Sequence, residues 1–146
     1  MVRDPDEIAQ QSAAAMWATD KASQALGITL EHVGPDLAVA RMLVRDDMLN
    51  GFGSCHGGFV SCLADTAFAF ACNSEGVKTV ASGFSIDFIA PVGAGDLLEA
   101  VASKSASAGR SGVYDVTVRR VDGSEGDVVA VFRGRSRSLG QPILPT

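Results

Sequence analysis

Residues 57–74 read GGFVSCLADTAFAFACNS, apolar or small at nearly every position, with alanine at 64, 67, 69 and 71. Alanine is the strongest helix former, so the segment is expected to be one long helix. NSEG at 73–76 is expected to end it, with Gly76 suited to a left-handed C-terminal cap. A helix that is apolar on every side cannot lie on a surface. It has to be enclosed.

The rest of the chain offers an enclosure. Downstream, ASGFSIDFIAP alternates Phe84, Ile86 and Phe88 against Ser85 and Asp87. DLLEAVASKSA, GVYDVTVRR and DVVAVFRGRSR follow as strands, separated by the turns GAGD, SAGRSG and VDGSEGD. Short turns between consecutive strands imply an antiparallel sheet, because parallel pairs need long crossovers. Upstream, residues 5 to about 25 read as one helix with an acidic first turn after Pro5, broken at Gly27. ITLEHV and LAVARMLV then form two strands around the GPD turn, and a glycine-rich loop spans 50–58. The tail LGQPILPT, at about 139–146, contains two prolines and is expected to be loose. The expectation is a single α+β domain over 1–146, a long central helix wrapped by a curved antiparallel sheet.

Charge and cysteine content narrow the function. A net charge of −5 argues against a nucleic-acid partner, although a few local arginines can still serve one phosphorylated ligand. No run reaches the roughly 20 apolar residues of a membrane span, and the acidic N-terminus lacks a signal peptide's apolar segment. Cys55, Cys62 and Cys72 are odd in number and form no C-x-x-C pair, so reduced thiols in a cytoplasmic protein are expected, with Cys62 and Cys72 packing on the helix. His32 and His56 are the two imidazoles, too few to suggest a metal site.

One charge stands inside the apolar run. Burying an ionised carboxylate is costly, so Asp65 is either a structural carboxylate, bonded to a neighbouring loop or capping backbone groups at an interface, or a group kept for chemistry. Ser61 and Asp65 share a helix face, with Thr66 adjacent, forming a thin polar stripe. The helix opens with HGG, whose bare backbone leaves N–H groups accessible at the positive end of the helix dipole. A carboxylate and a set of oxyanion donors are the minimum for hydrolysing an acyl compound. Gly57 and Asp65 are eight residues apart, which at ~1.5 Å per residue is about 12 Å along one helix. Both cannot reach one carbonyl from the same helix. A second copy across a two-fold axis, with its Gly57 end facing the first copy's Asp65, satisfies the geometry and predicts a dimer with two equivalent sites.

N-G-x-G-x-x-H-G-G at 50–58 followed by L-A-D-x-A-F-A at 63–69 resembles the hotdog acyl-CoA thioesterases of the phenylacetic acid degradation (PaaI-like) family. DKASQALG and S-I-D-F-I-A-P at 85–91 support the resemblance, which spans about 20–137. It implies the hotdog fold and a thioester hydrolase acting on a small or aromatic, phenylacetyl-type acyl-CoA, without a cofactor. It implies a homodimer as the minimum, expected to pair into a homotetramer. By this resemblance Asp65 is the catalytic acid, as general base or as nucleophile. Gly57 supplies the N–H that polarises the thioester carbonyl of the partner's site, and His56 supports that loop. Asn50 lies near the carbonyl and the attacking water, a turn asparagine being the other reading. Ser85 aligns with a small hydroxyl that helps hold water. The coenzyme A phosphates are assigned to Arg110 in the AGRSG turn with Ser111 and Gly112. Arg133, Arg135 and Arg137 either add charge there or form a solvated strand face. Phe59, Phe68 and Phe84 are the candidate acyl-pocket lining. Two other readings compete: a hotdog dehydratase or hydratase, and a non-catalytic acyl-CoA-binding module.

Overall fold

The computed structural model describes residues 3–121 and 126–145. In chain order the elements are α1 (Pro5–Trp17), α2 (Lys21–Ala25), β1 (Thr29–Gly34), β2 (Leu37–Leu43), a 3-10 turn at Asp46–Met48, α3 (Gly57–Cys72), β3 (Val77–Phe88), β4 (Leu97–Ala108), β5 (Ser111–Val121) and β6 (Val128–Pro142). The strands form one six-stranded antiparallel sheet in the order β1-β2-β4-β5-β6-β3. α3 touches every strand of it, which is the enclosure its composition demanded. Register shifts in β3 between Ala81 and Gly83, and in β4 between Lys104 and Ala106, mark bulges of the kind that bend strands.

Strand alternation explains which face meets the helix. On β5, Val116 and Val118 point inward, and on β6, Ala130 and Phe132 do the same. Against them α3 buries Val60, Leu63, Ala64, Ala67, Phe68, Phe70 and Ala71. Phe68 is central: it is 1% exposed and its ring lies 5.7 Å from Tyr114 and 5.8 Å from Phe132. A side chain of that size stabilises the fold by roughly 1.5–3 kcal/mol through burial alone. Gly134 on β6 makes room for it, since a Cβ there would lie 2.7 Å from the Phe68 ring. Both Phe68→Ala and Gly134→Ala are therefore expected to destabilise, the first by about 3–5 kcal/mol through the cavity it leaves. Urea melts of the two variants check this, and a loss below about 1 kcal/mol for Phe68→Ala contradicts the packing described.

Three expectations need correcting. The helix expected over 5–25 is two helices, because Asp20 caps a new one: its Oδ1 accepts the Ser23 N–H at 3.1 Å and its Oδ2 the Ser23 hydroxyl at 2.8 Å. Aspartate competes for backbone donors in this way and favours caps over helix interiors. The tail is not loose as far as it is described. β6 runs on to Pro142, which pairs with Val77, and Ile143 N–H reaches the Gly76 carbonyl at 2.8 Å. The terminal cap of α3 is Asn73, whose Nδ2 bonds the Ala69 carbonyl at 2.8 Å, while Gly76 (φ +81°) turns the chain afterwards. The VDGSEGD turn lies partly outside the described residues.

The sheet order leaves β3 at an edge. Its exposed residues include Val80, Phe84 and Phe88, an apolar 12-residue edge of a kind that monomers usually cover.

Candidate active site

The loop before α3 is tied down by its own backbone. Asn50 N–H bonds the Ser54 carbonyl at 2.7 Å, Cys55 N–H the Val92 carbonyl at 2.6 Å, and His56 N–H the Met48 carbonyl at 2.8 Å. Asn50 Oδ1 accepts from the N–H groups of Phe52 and Ser54 at 2.9 and 3.2 Å, so the turn reading of that residue is realised. Its Nδ2 has no acceptor among the described residues. His56 is exposed at the N-cap and its imidazole makes no cap bond.

Gly57 starts the helix, and the N–H groups of Gly57 and Gly58 have no protein acceptor among the described residues. They are free donors at the positive end of a 16-residue helix. The Phe88 ring closes over Gly57 so tightly that a Cβ would sit 2.7 Å from Phe88 Cζ. A cleft of about 370 Å³ opens beside this end, walled by Cys55, Gly57, Val60, Phe88, Ile89 and Val92. It is an apolar cleft with amide donors at one edge.

Two turns further on, α3 shows a different chemistry. Ser61 and Thr66 turn their hydroxyls onto the Gly57 and Cys62 carbonyls, each at 2.8 Å. Asp65 is half-buried and accepts no hydrogen bond from the described residues. Within one chain, no neighbouring loop among the described residues bonds this carboxylate. Burial pushes the Asp65 carboxyl above the usual carboxylate range, and the charge of Asp20 pushes the same way. The carboxyl opens on a cavity of about 170 Å³ whose walls include Asp20, Ser23, Leu26, Cys62 and Ala69. Cys62 is exposed rather than packed, contrary to expectation, because it faces this cavity instead of the sheet.

The amide cleft and the carboxylate cavity share no wall residue, as the helical separation of Gly57 and Asp65 requires. The remaining predicted residues are spread around them. Arg110 is at the tip of the β4–β5 hairpin, where it joins Ser111 and Gly112 around a cavity of about 150 Å³ that also contains Lys104, Ser136 and Ser138. Ser85 is on the opposite face of the sheet from α3, beside Asp87, Asp115 and Arg133, and one protomer does not bring it to Asp65. Arg133 pairs with Asp115 at 2.7 Å, and the Arg133, Arg135 and Arg137 face is exposed. Phe68 is core rather than pocket lining, because the Gly134 gap draws its ring into the sheet, where it is 1% exposed. Phe84 stacks on Phe132 with 4.7 Å between ring centres and stays partly exposed, while Phe59 is half-buried.

Two residues here escape sequence reasoning. Strand alternation gives Phe88 a face of β3 but no sign that it covers Gly57. Asp20 falls inside the helix expected over 5–25. The signal for it is DKAS, an aspartate three residues before a serine with Gly27 soon after, the pattern of a capped short helix.

A family model described as thioesterase superfamily matches residues 52–126, and the chain belongs to that superfamily, on a hotdog fold. Within it the chain falls with the PaaI-like proteins. It is 44% identical over 135 residues to acyl-coenzyme A thioesterase PaaI of Escherichia coli, a match covering 92% of this chain and 94% of that one. The structure of E. coli PaaI, from the phenylacetic acid degradation operon, matches with a TM-score of 0.90 and 42% identity over 95% of this chain and 99% of that one. A variant of the phenylacetic acid degradation protein PaaI from Thermus thermophilus matches with a TM-score of 0.77 and 39% identity, over 82% and 100% of the two chains.

Proposed function

We propose that this chain hydrolyses acyl-CoA thioesters, with a small or aromatic, phenylacetyl-type acyl group, to the free acid and coenzyme A. The observation that carries the reading is Asp65: a carboxylate in an apolar helix, without hydrogen-bond partners among the described residues and open to a cavity. Asp65 acts as general base on water or attacks the carbonyl itself. The Gly57 N–H of a second copy receives the oxyanion, with His56 and Asn50 from the same loop around it. No metal or cofactor enters the proposed step, and a cytoplasmic setting suits the free thiols of Cys55, Cys62 and Cys72.

The edge strand supports the pairing. Two copies joined antiparallel along β3 would continue one sheet into the next and cover Phe84 and Phe88. Phe88 marks the level of Gly57, and Asp65 is about 12 Å back along the helix, three to four strand residues away. A two-fold axis crossing β3 between Phe84 and Phe88 then sets each Gly57 at the level of the other copy's Asp65. The β3 start, and with it the hairpin of Arg110, Ser111 and Gly112, moves toward the other copy's Gly57 end. That is where the phosphates of a bound coenzyme A are expected, and pairing of two dimers into a tetramer leaves these sites in place.

A screen for thiol release across aryl, aliphatic and hydroxylated acyl-CoAs tests the reading. Fastest release is expected from phenylacetyl-type thioesters. Preference for long aliphatic chains overturns the substrate class alone, and hydration of an enoyl-thioester without free thiol overturns the reaction. Arg110→Ala is expected to raise KM roughly three- to tenfold with little change in kcat, as loss of uniform binding does, and the effect should shrink at high salt. An unchanged KM removes Arg110 from the phosphate site.

Acidity gives a further check. The active form is the ionised Asp65, so kcat/KM is expected to fall as pH drops through its raised value, at higher pH than for an ordinary carboxylate. A pH–rate profile flat down to pH about 4 would contradict the assignment of Asp65 as base.

A further inference from the structure

Asp65 does not face its cavity alone. The wall opposite α3 is the short helix α2, and its N-cap, Asp20, contributes a second carboxylate to the same 170 Å³ space. Asp20 is held firmly. It accepts the Ser23 N–H at 3.1 Å and the Ser23 hydroxyl at 2.8 Å, and Ser23 Oγ in turn lies 3.0 Å from Thr66 Oγ1, beside Asp65 on α3. Ser23 and Thr66 are buried, so this link pins α2 to α3 at the level of Asp65. With the Ser23 proton given to Asp20, the Oγ–Oγ contact takes the Thr66 proton, shared with the Cys62 carbonyl.

No cation offsets the two acids: among the described residues no lysine, arginine or histidine lines the cavity. The titratable groups on α3 that the Asp65 charge reaches are thiols, Cys62 in the cavity wall and Cys72 further along the helix. Burial, and then the Asp65 charge, push Cys62 up, and burial pushes Cys72 to about 12 against the lowering effect of a backbone hydrogen bond, with Asp65 adding to the rise. Both are uncharged at neutral pH. From α2 the facing group is Asp20, and from the second copy, in the proposed dimer, His56 and Asn50. A fixed negative charge in a small, half-enclosed space acts with less screening than one in bulk water.

We infer that Asp20 is a positioning residue for Asp65: clamped by Ser23 across the shared cavity, its charge keeps Asp65 a strong base for the hydrolysis proposed above, on which this inference rests. Asp20 touches neither the thioester nor the attacking water. It acts through Asp65, and its geometry depends on the cap that also starts α2. Desolvation of Asp65 gives the same sign, so both contribute, and removing Asp20 leaves the burial in place.

Asp20→Asn and Asp20→Ser both keep an N-cap acceptor and remove the charge, whereas Asp20→Glu keeps the charge. The carboxyl carbon of Asp65 is followed by ¹³C NMR through a pH titration without substrate, its signal assigned by its loss in Asp65→Asn. The Asn and Ser variants are expected to shift that midpoint, and the acid limb of kcat/KM, to lower pH. Their plateau rate should fall roughly two- to fivefold, since a weaker base drives proton transfer less well. Asp20→Glu should return both toward the parent. An unmoved Asp65 midpoint in the Asn and Ser variants, or a shift in the Glu variant as large as theirs, overturns the inference. Because the titration needs no turnover, it separates the two ideas. A parent without thiol release sinks the hydrolytic reading while the midpoint shift still reports on Asp20, and a parent with thiol release but no midpoint shift sinks Asp20 alone.

Discussion

Asp65→Asn is expected to reduce thiol release about 10²–10⁴-fold while leaving acyl-CoA affinity within a few-fold of the parent. The amide has the shape of the carboxylate and fills the same place on α3, so the cavity survives and the base does not. The same substitution should stabilise the folded chain at neutral pH, and the sign follows from burial. Asp65 holds its proton more tightly in the folded state than in the unfolded state, so its contribution to stability is present below the unfolded value and lost as pH rises through the folded one. At neutral pH the ionised carboxylate works against folding, and the amide removes that opposition. The melting temperature of Asp65→Asn should therefore exceed the parent's at pH 7, with the gap closing toward pH 4. A variant that hydrolyses like the parent, or that melts lower at pH 7, would mean that Asp65 is a structural group with partners.

Gly57→Pro is the second large effect. Proline suits the first position of a helix, and His56 before it already has φ −58° and ψ 134°, the extended conformation that a following proline requires. The substitution thus removes one N–H with little damage to α3. Loss of a single oxyanion donor lowers kcat about 10²–10³-fold. The added carbons also press on Phe88, whose ring lies over Gly57 and borders the proposed seam between the two copies. Gly57→Ala is the control for that pressure, since it adds the Cβ and keeps the donor. Its kcat is expected to stay well above that of Gly57→Pro. Equal losses in the two would assign the effect to Phe88 and leave the N–H without a role.

Much of the fold is legible because patterning and propensity agree. The run at 57–74 can only be an enclosed helix, and the alternation in 81–91 and 112–120 can only be strands. What sequence misses turns on contacts between distant segments. Nothing local shows that Thr66 reaches back to Ser23, so Asp20 passes for a helix interior instead of a cap. Gly134 and Phe68 are 66 positions apart, and without that pairing Phe68 looks available to a ligand. The tail has two prolines, yet the strand partner waiting at Val77 orders it. For the site, residue type and spacing expose Asp65 and the HGG start together, because a charge in an apolar helix and bare amides at its end are both local features. Ser85 is different. Period-two alternation puts it opposite Phe84, and with Phe84 turned toward Phe132 the serine has to face away from α3.

Mixing the two inactive variants tests the shared site most directly. After subunit exchange, a pair made of one Asp65→Asn chain and one Gly57→Pro chain contains one site with an intact acid facing an intact amide, and one site lacking both. With equal amounts and random exchange, thiol release should recover to about a quarter of the parent rate, although each variant alone is nearly inactive. Release that stays at the level of the separate variants, while exchange is confirmed by native mass spectrometry, would contradict a site built across two chains.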